Sequence, residues 1–280
     1  MLGIIDVGGG ERGVYGAGVF DRCLDLGIRF DCLIGVSAGA ANQASFLAEQ
    51  RGRNYVYYTE YAFRKEYMSY GNFLRTGNYL DLDYVYGGIA NRGGDYPLDY
   101  ETMARNARTR IVEIVATDAE TGKPVYFSVE DEAQDRYDVL KCSSNVPVAN
   151  KPYPFHGRLY YDGGISDPVP VKRAMEHGCD KLVVILTKPR AFRRKSGRDT
   201  VMSWLMRRTP AAASDMAKRA DVYNAGVELA EQYEREGKAL ILAPEDIGRM
   251  KTLTKDLKEI RKMYEMGIRD ADSILDFIRG

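Results

Sequence analysis

The sequence predicts an α/β fold: a mainly parallel central sheet with helices packed on it, then a smaller, mostly helical C-terminal region. Three observations carry this. Within the first 50 residues, two short apolar strands each run through a glycine-bearing turn into a helix-forming stretch, the alternation of a parallel sheet. Apolar strand patterns return at residues 110–116 and 181–187. From Asp215, Met216, Ala220, Tyr223, Val227 and Ala230 recur at three- and four-residue steps, a helical period.

With 280 residues, 45% of them hydrophobic, the chain can bury one sizeable core plus an appendage. Forty basic residues balance forty acidic ones, so no global field points to nucleic acid and charge matters only locally. The four cysteines, Cys23, Cys32, Cys142 and Cys179, have neither metal-ligand spacing nor a secreted disulfide pattern. Cys23 and Cys32 read as small core hydrophobes. No basic leader precedes the first strand, and residues 32–48 are uncharged but too polar, with Ser37, Asn42, Gln43 and Ser45, to span a membrane. The expectation is a cytoplasmic protein.

In order along the chain, residues 2–7 form a strand, Gly8 to Gly13 a glycine loop, and residues 14–26 a helix ended by Gly27. A second strand enters Gly35-Val36-Ser37-Ala38-Gly39 and leaves as a helix rich in small residues. Residues 50–105 hold eleven of the twenty tyrosines, which suits either a cleft for long apolar substrates or an irregular insertion half-buried on the sheet. Residues 110–116 and 124–129 read as strands joined by a hairpin with Asp118 and Gly122 in its turn. A helix begins at residue 137, and Pro147, Pro152 and Pro154 keep the following segment extended. Residues 159–161 form a short strand ending in Asp162-Gly163-Gly164. A helix spans 171–177, a buried strand 181–187 and another strand 239–243, with two short helices expected around Gly267.

Residues 188–208 break the charge balance, with eight basic residues against Asp199 and an apolar wedge of Val201, Met202, Trp204, Leu205 and Met206. Such a stretch can dock on an anionic lipid surface. A solvated basic loop with one packed turn has the same composition and is the commoner case.

The chemistry lies in three short stretches. Gly35-x-Ser37-x-Gly39 at a strand-to-helix junction fits a nucleophile elbow, where a sharp turn exposes the serine Oγ and the helix N-terminus faces a developing oxyanion. Gly8, Gly10 and Gly13 satisfy the dinucleotide-binding pattern, with Asp31 near the distance expected for a ribose-binding acid. The second strand, however, runs past Asp31 and ends at the elbow, and inward-facing loop amides serve equally well as an oxyanion hole. The serine needs a base. His177 ends a helix and reads as a cap, and His156 is a loop candidate. Asp162 sits at a strand end with two glycines behind it and is the better candidate, although Asp-Gly-Gly by itself is also an ordinary turn.

Taken together and in this order, the three stretches resemble those of the patatin-like phospholipases. The resemblance covers roughly residues 2–190. Arg219 to Asn224 and Pro244-Glu245-Asp246 are similar to the tail of a bacterial subgroup. It implies a three-layer α/β/α sandwich over residues 1–210 and a mostly helical extension over 211–280. It further implies an oxyanion hole in the loop of Gly8, Gly9, Gly10, Arg12 and Gly13. Ser37, between Gly35 and Gly39, becomes the nucleophile, and Asp162, ahead of Gly163 and Gly164, the base of a serine–aspartate dyad. The implied reaction is hydrolysis of lipid carboxylic esters through an acyl-enzyme, of phospholipase A, lysophospholipase or carboxylesterase type, with no cofactor or metal and no nucleic-acid partner. An acyltransferase on the same elbow would be expected to carry a histidine partner. A scaffold without turnover would not need the intact Ser37 and Asp162.

Overall fold

The computed structural model describes residues 1–280. β1 (Leu2–Asp6) leads through a 3-10 turn at Gly10–Gly13 into α1 (Val14–Asp25). β2 (Cys32–Val36) leads through Ser37 into α2 (Ala38–Leu47). The tyrosine-rich region holds α3 (Arg53–Thr59), α4 (Tyr70–Thr76), a π turn at Tyr84–Ile89 and α5 (Tyr100–Ala107). Next come β3 (Ile111–Asp118), β4 (Pro124–Ser128), α6 (Asp138–Ser144), β5 (Tyr153–Phe155) and β6 (Arg158–Asp162). α7 (Val171–Glu176), β7 (Lys181–Ile185), α8 (Ser196–Leu205), α9 (Pro210–Arg235), β8 (Ala239–Leu242), α10 (Leu257–Asp270) and α11 (Ser273–Arg279) complete the chain.

All eight strands belong to one sheet. β3, β2, β1, β7 and β8 run parallel in that order, while β4, β5 and β6 pair antiparallel. The strand alternation separates two cores. Ile4, Leu33, Val183 and Ile185 face α1, α2, α6 and α10, whereas Ile5, Ile34, Leu182 and Val184 face α7 and α9. The result is the expected sandwich of helices on both faces of a mainly parallel sheet.

One register decides where chemistry can occur. β2 pairs with residues 111–115 of β3, and β6 pairs with residues 116–118. β4 occupies the opposite edge of β3 over residues 113–117. β2 and β6 therefore meet end to end along one edge of β3. The residues that leave these two strands, Ser37 and Asp162, are brought together although 125 positions separate them.

Three local expectations need correction. Gly267 lies inside α10, and the break falls between Asp270 and Ser273. A side chain at Gly267 would collide with the Tyr15 carbonyl, so the glycine marks a close helix–helix approach and not a helix end. The basic stretch is no loop: it contains α8. α9 starts at Pro210, five residues before the apolar period shows, because proline at the first helical position has no N–H to leave unpaired.

Candidate active site

Ser37 sits between the last residue of β2 and the first of α2 with φ 57 and ψ −127, a strained region for a residue with a side chain. Two approaches hold it there. Its N–H donates to Ser143 Oγ at 2.8 Å, and Ser143 Oγ donates in turn to the Val115 carbonyl at 2.6 Å. Gly35 and Gly39 let the strand and helix close on the turn, since a Cβ at Gly35 would lie 2.6 Å from the Ala40 Cα and one at Gly39 would strike the Asp6 carbonyl.

The glycine loop lies beside this elbow. Gly8, Gly9 and Gly10 all have positive φ, at 60, 130 and 60. A side chain on Gly8 would collide with Val36 and the amides of Ala38 and Gly39. Gly8 N–H is already engaged by Asp6 Oδ1 at 2.9 Å, and its carbonyl accepts from the Thr187 hydroxyl. Asp6 is itself held by Asn42, whose Nδ2 donates to Asp6 Oδ2 and to the Gly13 carbonyl, each at 2.8 Å. On the far side Glu11 N–H donates to the Thr252 carbonyl at 2.8 Å, so the C-terminal region pins the loop. That leaves Gly9 and Gly10, with Ala38 at the helix start, as the amides available to an anion.

Asp162 is 7% exposed, and its Oδ1 accepts from Gly164 N–H at 2.8 Å. Burial pushes its carboxyl above the ordinary range. The Ser37 hydroxyl, the Arg219 charge and the Gly164 amide pull it back down. The Ser37 hydroxyl thus lies beside this carboxyl and favours its charged form. Gly163 packs against the Val115 carbonyl, and Arg219 Nη2 lies over Gly164.

Neither histidine approaches this pair. His156 is exposed at the β5–β6 turn and stacks on Phe155 at the sheet edge, 3.9 Å between ring centres. His177 caps α7, with Nε2 3.0 Å from Glu113. Asp31 precedes β2, where it accepts from Leu2 N–H at 2.8 Å. Since β1 and β2 are parallel, it lies at the opposite end of the sheet from the glycine loop, where no ribose bound to that loop could meet it. No group of three His, Cys, Asp or Glu side chains is arranged to hold a metal.

Ser37 lies at the junction of two cavities. One is mostly apolar and is lined by Tyr57, Tyr58, Tyr67, Tyr86, Leu80 and Ile89, with Glu11 and Ser37 at its wall. Four tyrosines of the aromatic region thus face this cavity, while Tyr70 stands 80% exposed elsewhere. The other contains Asp162 and is bordered by Arg12, Lys188, Arg194, Arg198 and Arg219. Arg12 has no acid partner; its nearest polar contact is Thr252 Oγ1 at 3.3 Å. Ser143, Asn42, Glu11, Thr252 and Arg219 escape a reading of the sequence as site residues. Only the unexpected polarity of Asn42 in an uncharged helix signals one of them.

Residues 7–175 match the patatin-like phospholipase family, and residues 209–279 match a domain of unknown function, DUF6363. The uncharacterized protein YjjU of Escherichia coli K12 is 34% identical over 191 residues, covering 67% of this chain and 52% of YjjU. The chain thus spans about half the length of this curated relative. The crystal structure of VipD from Legionella pneumophila shares the fold at a TM-score of 0.50 and 15% identity, over 98% of this chain and 66% of VipD.

Proposed function

Because the chain belongs to the patatin-like phospholipase family, we propose that it is a serine acyl hydrolase acting on carboxylic esters of lipids. Ser37 Oγ attacks the ester carbonyl while Asp162 accepts its proton. The amides of Gly9, Gly10 and Ala38 hold the oxyanion, where one such donor is typically worth about 3–4 kcal/mol. Asp162 hands that proton to the leaving alcohol oxygen as the ester C–O bond breaks; water then attacks the acyl carbonyl while giving a proton to Asp162, which returns it to Ser37 Oγ as the fatty acid leaves. Burial makes this aspartate a stronger base than a solvated one, which suits a dyad without histidine. The tyrosine-lined cavity takes the acyl chain. Residues 1–210 form the acyl hydrolase domain, and residues 211–280 form an extension whose strand β8 pairs with β7 and whose Thr252 meets the glycine loop.

The observation that carries this reading is Ser37 strained on its elbow beside a buried carboxylate, where two cavities meet. No helix is long and apolar enough to cross a membrane, and contact with lipid at a surface is part of this proposal. α8 supports such contact, with Val201 60% and Trp204 66% exposed.

Intact-mass labelling with an alkyl fluorophosphonate tests the dyad. One adduct is expected on wild type, none on Ser37→Ala and slow labelling of Asp162→Asn. A folded wild type that takes no adduct, or Ser37→Ala that keeps ester hydrolysis, overturns the assignment.

A further inference from the structure

The polar cavity beside Ser37 holds more positive charge than the proposed ester chemistry uses. Five cations, Arg12, Lys188, Arg194, Arg198 and Arg219, line it against two carboxylates, Asp162 and Asp199. Asp199 is consumed. It is 1% exposed and receives both Nε and Nη2 of Arg194, at 2.6 and 2.7 Å. Asp162 is the proposed base. Arg12, Lys188, Arg198 and Arg219 are then left without an ion-pair partner, and Arg12 Nε and Arg219 Nε are buried with no hydrogen bond at all. Arg12 is 9% exposed, so part of this wall is built into the fold, with Arg198 at its exposed rim. Burial, and after it mutual repulsion, lowers the Lys188 ammonium to about 8 and both Arg12 and Arg219 to about 10. Packed cations in that condition are stabilised by an anion placed among them.

The position of this wall says which anion. Ser37, Gly10, Val146 and Leu253 border both cavities. An ester lying on Ser37 with its acyl chain in the apolar cavity extends its alcohol portion into the basic one. A phosphomonoester carries about −1.5 to −2 charges at neutral pH and presents three acceptor oxygens. A zwitterionic head would bring one negative charge together with a cation among arginines. We propose that this cavity binds a phosphate carried on the alcohol side of the substrate, so that the preferred substrate is an acylglycerol phosphate with a free phosphomonoester. The proposal rests on the acyl-hydrolase reading. Water adds across the carboxylic ester to give fatty acid and glycerol phosphate, and the phosphoester bond is untouched. Arg219 lies within the region of unknown function, so that region contributes part of the headgroup wall.

Calorimetry on Ser37→Ala, which binds without turnover, tests the subsite with two ligands that differ only in the phosphate, 1-oleoylglycerol 3-phosphate and 1-oleoylglycerol. The phosphorylated ligand should bind about tenfold tighter or more, since charge-assisted hydrogen bonds are involved. That preference should weaken with added sodium chloride and shrink in both Arg219→Gln and Arg198→Gln. Arg198 is exposed, so its variant keeps the test valid if the Arg219 variant fails to fold. Equal affinities for the two ligands overturn the proposal. Inorganic phosphate that binds while the lipid phosphate gains nothing also overturns it, in favour of a free-anion site. Turnover of p-nitrophenyl butyrate by wild type is measured separately: its absence counts against the hydrolase reading, while the binding preference stands or falls on its own.

Discussion

Replacing Glu11 with glutamine isolates one buried carboxyl in the wall of the tyrosine-lined cavity. Glu11 is 3% exposed, its Oε2 has no hydrogen-bond partner, and the only opposing charge of note is Lys255. Burial pushes its carboxyl up to about 8 from 4.5. Between those values the folded protein holds a proton that the unfolded chain releases, so folding stability falls as pH rises through the window. The slope is at most about 1.4 kcal/mol per pH unit. A shift from 4.5 to about 8 therefore sets a ceiling near 5 kcal/mol. The higher effective dielectric of real protein sites lowers the realised figure to about 1–3 kcal/mol. Urea denaturation of wild type and Glu11→Gln at pH 5, 6, 7 and 8 gives the difference, in which other titrating groups cancel. The variant should gain on wild type steadily as pH rises. An amide without an acceptor costs about 1–3 kcal/mol at every pH, so the slope and not the offset is diagnostic. Parallel curves would refute a neutral Glu11. Function follows the same sign: with a neutral ester substrate, wild type loses activity above pH 8 as a carboxylate appears beside the acyl chain, and Glu11→Gln does not.

Arg219→Gln should move the acid limb of the kcat/KM profile to higher pH. The Arg219 charge lowers the Asp162 pKa and the base must be deprotonated, so a limb that stays or moves down refutes the coupling. Ser143→Ala leaves the Ser37 N–H and the Val115 carbonyl unpaired inside the elbow; chemical denaturation should show a loss of about 2 kcal/mol, with kcat reduced more than KM is raised. Serine at both Val201 and Trp204 should weaken sedimentation with vesicles containing anionic lipid by about tenfold while the fold is retained, and equal binding would remove α8 from the lipid contact.

What was legible in the sequence is what local sterics dictate. The elbow could be read because only small residues either side of Ser37 permit a strand and helix to meet at so sharp a turn. The glycine loop could be read for the same reason, but its chemistry could not. Gly8 N–H is turned to Asp6 by the fold, and Asp31, correctly spaced in sequence, stands at the wrong end of a parallel strand. Gly267 misled because a glycine that ends a helix and one that admits a neighbouring helix look alike in one dimension. Ser143, Arg219 and Thr252 were invisible as site residues because each reaches the site only through the sheet register or the packing of α9 and the segment before α10.

The register also bears on the proposed dyad, in which an aspartate would serve where a histidine is more usual. β2 and β6 abut on one edge of β3, so Ser37 and Asp162 are fixed by backbone ladders and not by long side chains. A short, stiff carboxylate positioned in this way loses little entropy on meeting the hydroxyl. Its weakness as a base is offset by burial, which Arg219 limits from the other side. Too little burial would leave an ordinary carboxylate with little basicity at neutral pH. Too much, without the arginine, would keep it protonated and unable to accept the serine proton. On the proposed mechanism the cations that border the polar cavity would therefore also tune the base, and a substrate phosphate seated among them would partly cancel Arg219. Wild-type acid limbs measured with 1-oleoylglycerol 3-phosphate and with 1-oleoylglycerol should then differ, the phosphorylated substrate giving the higher apparent pKa in kcat. Coincident limbs would mean that the headgroup and the base do not share Arg219.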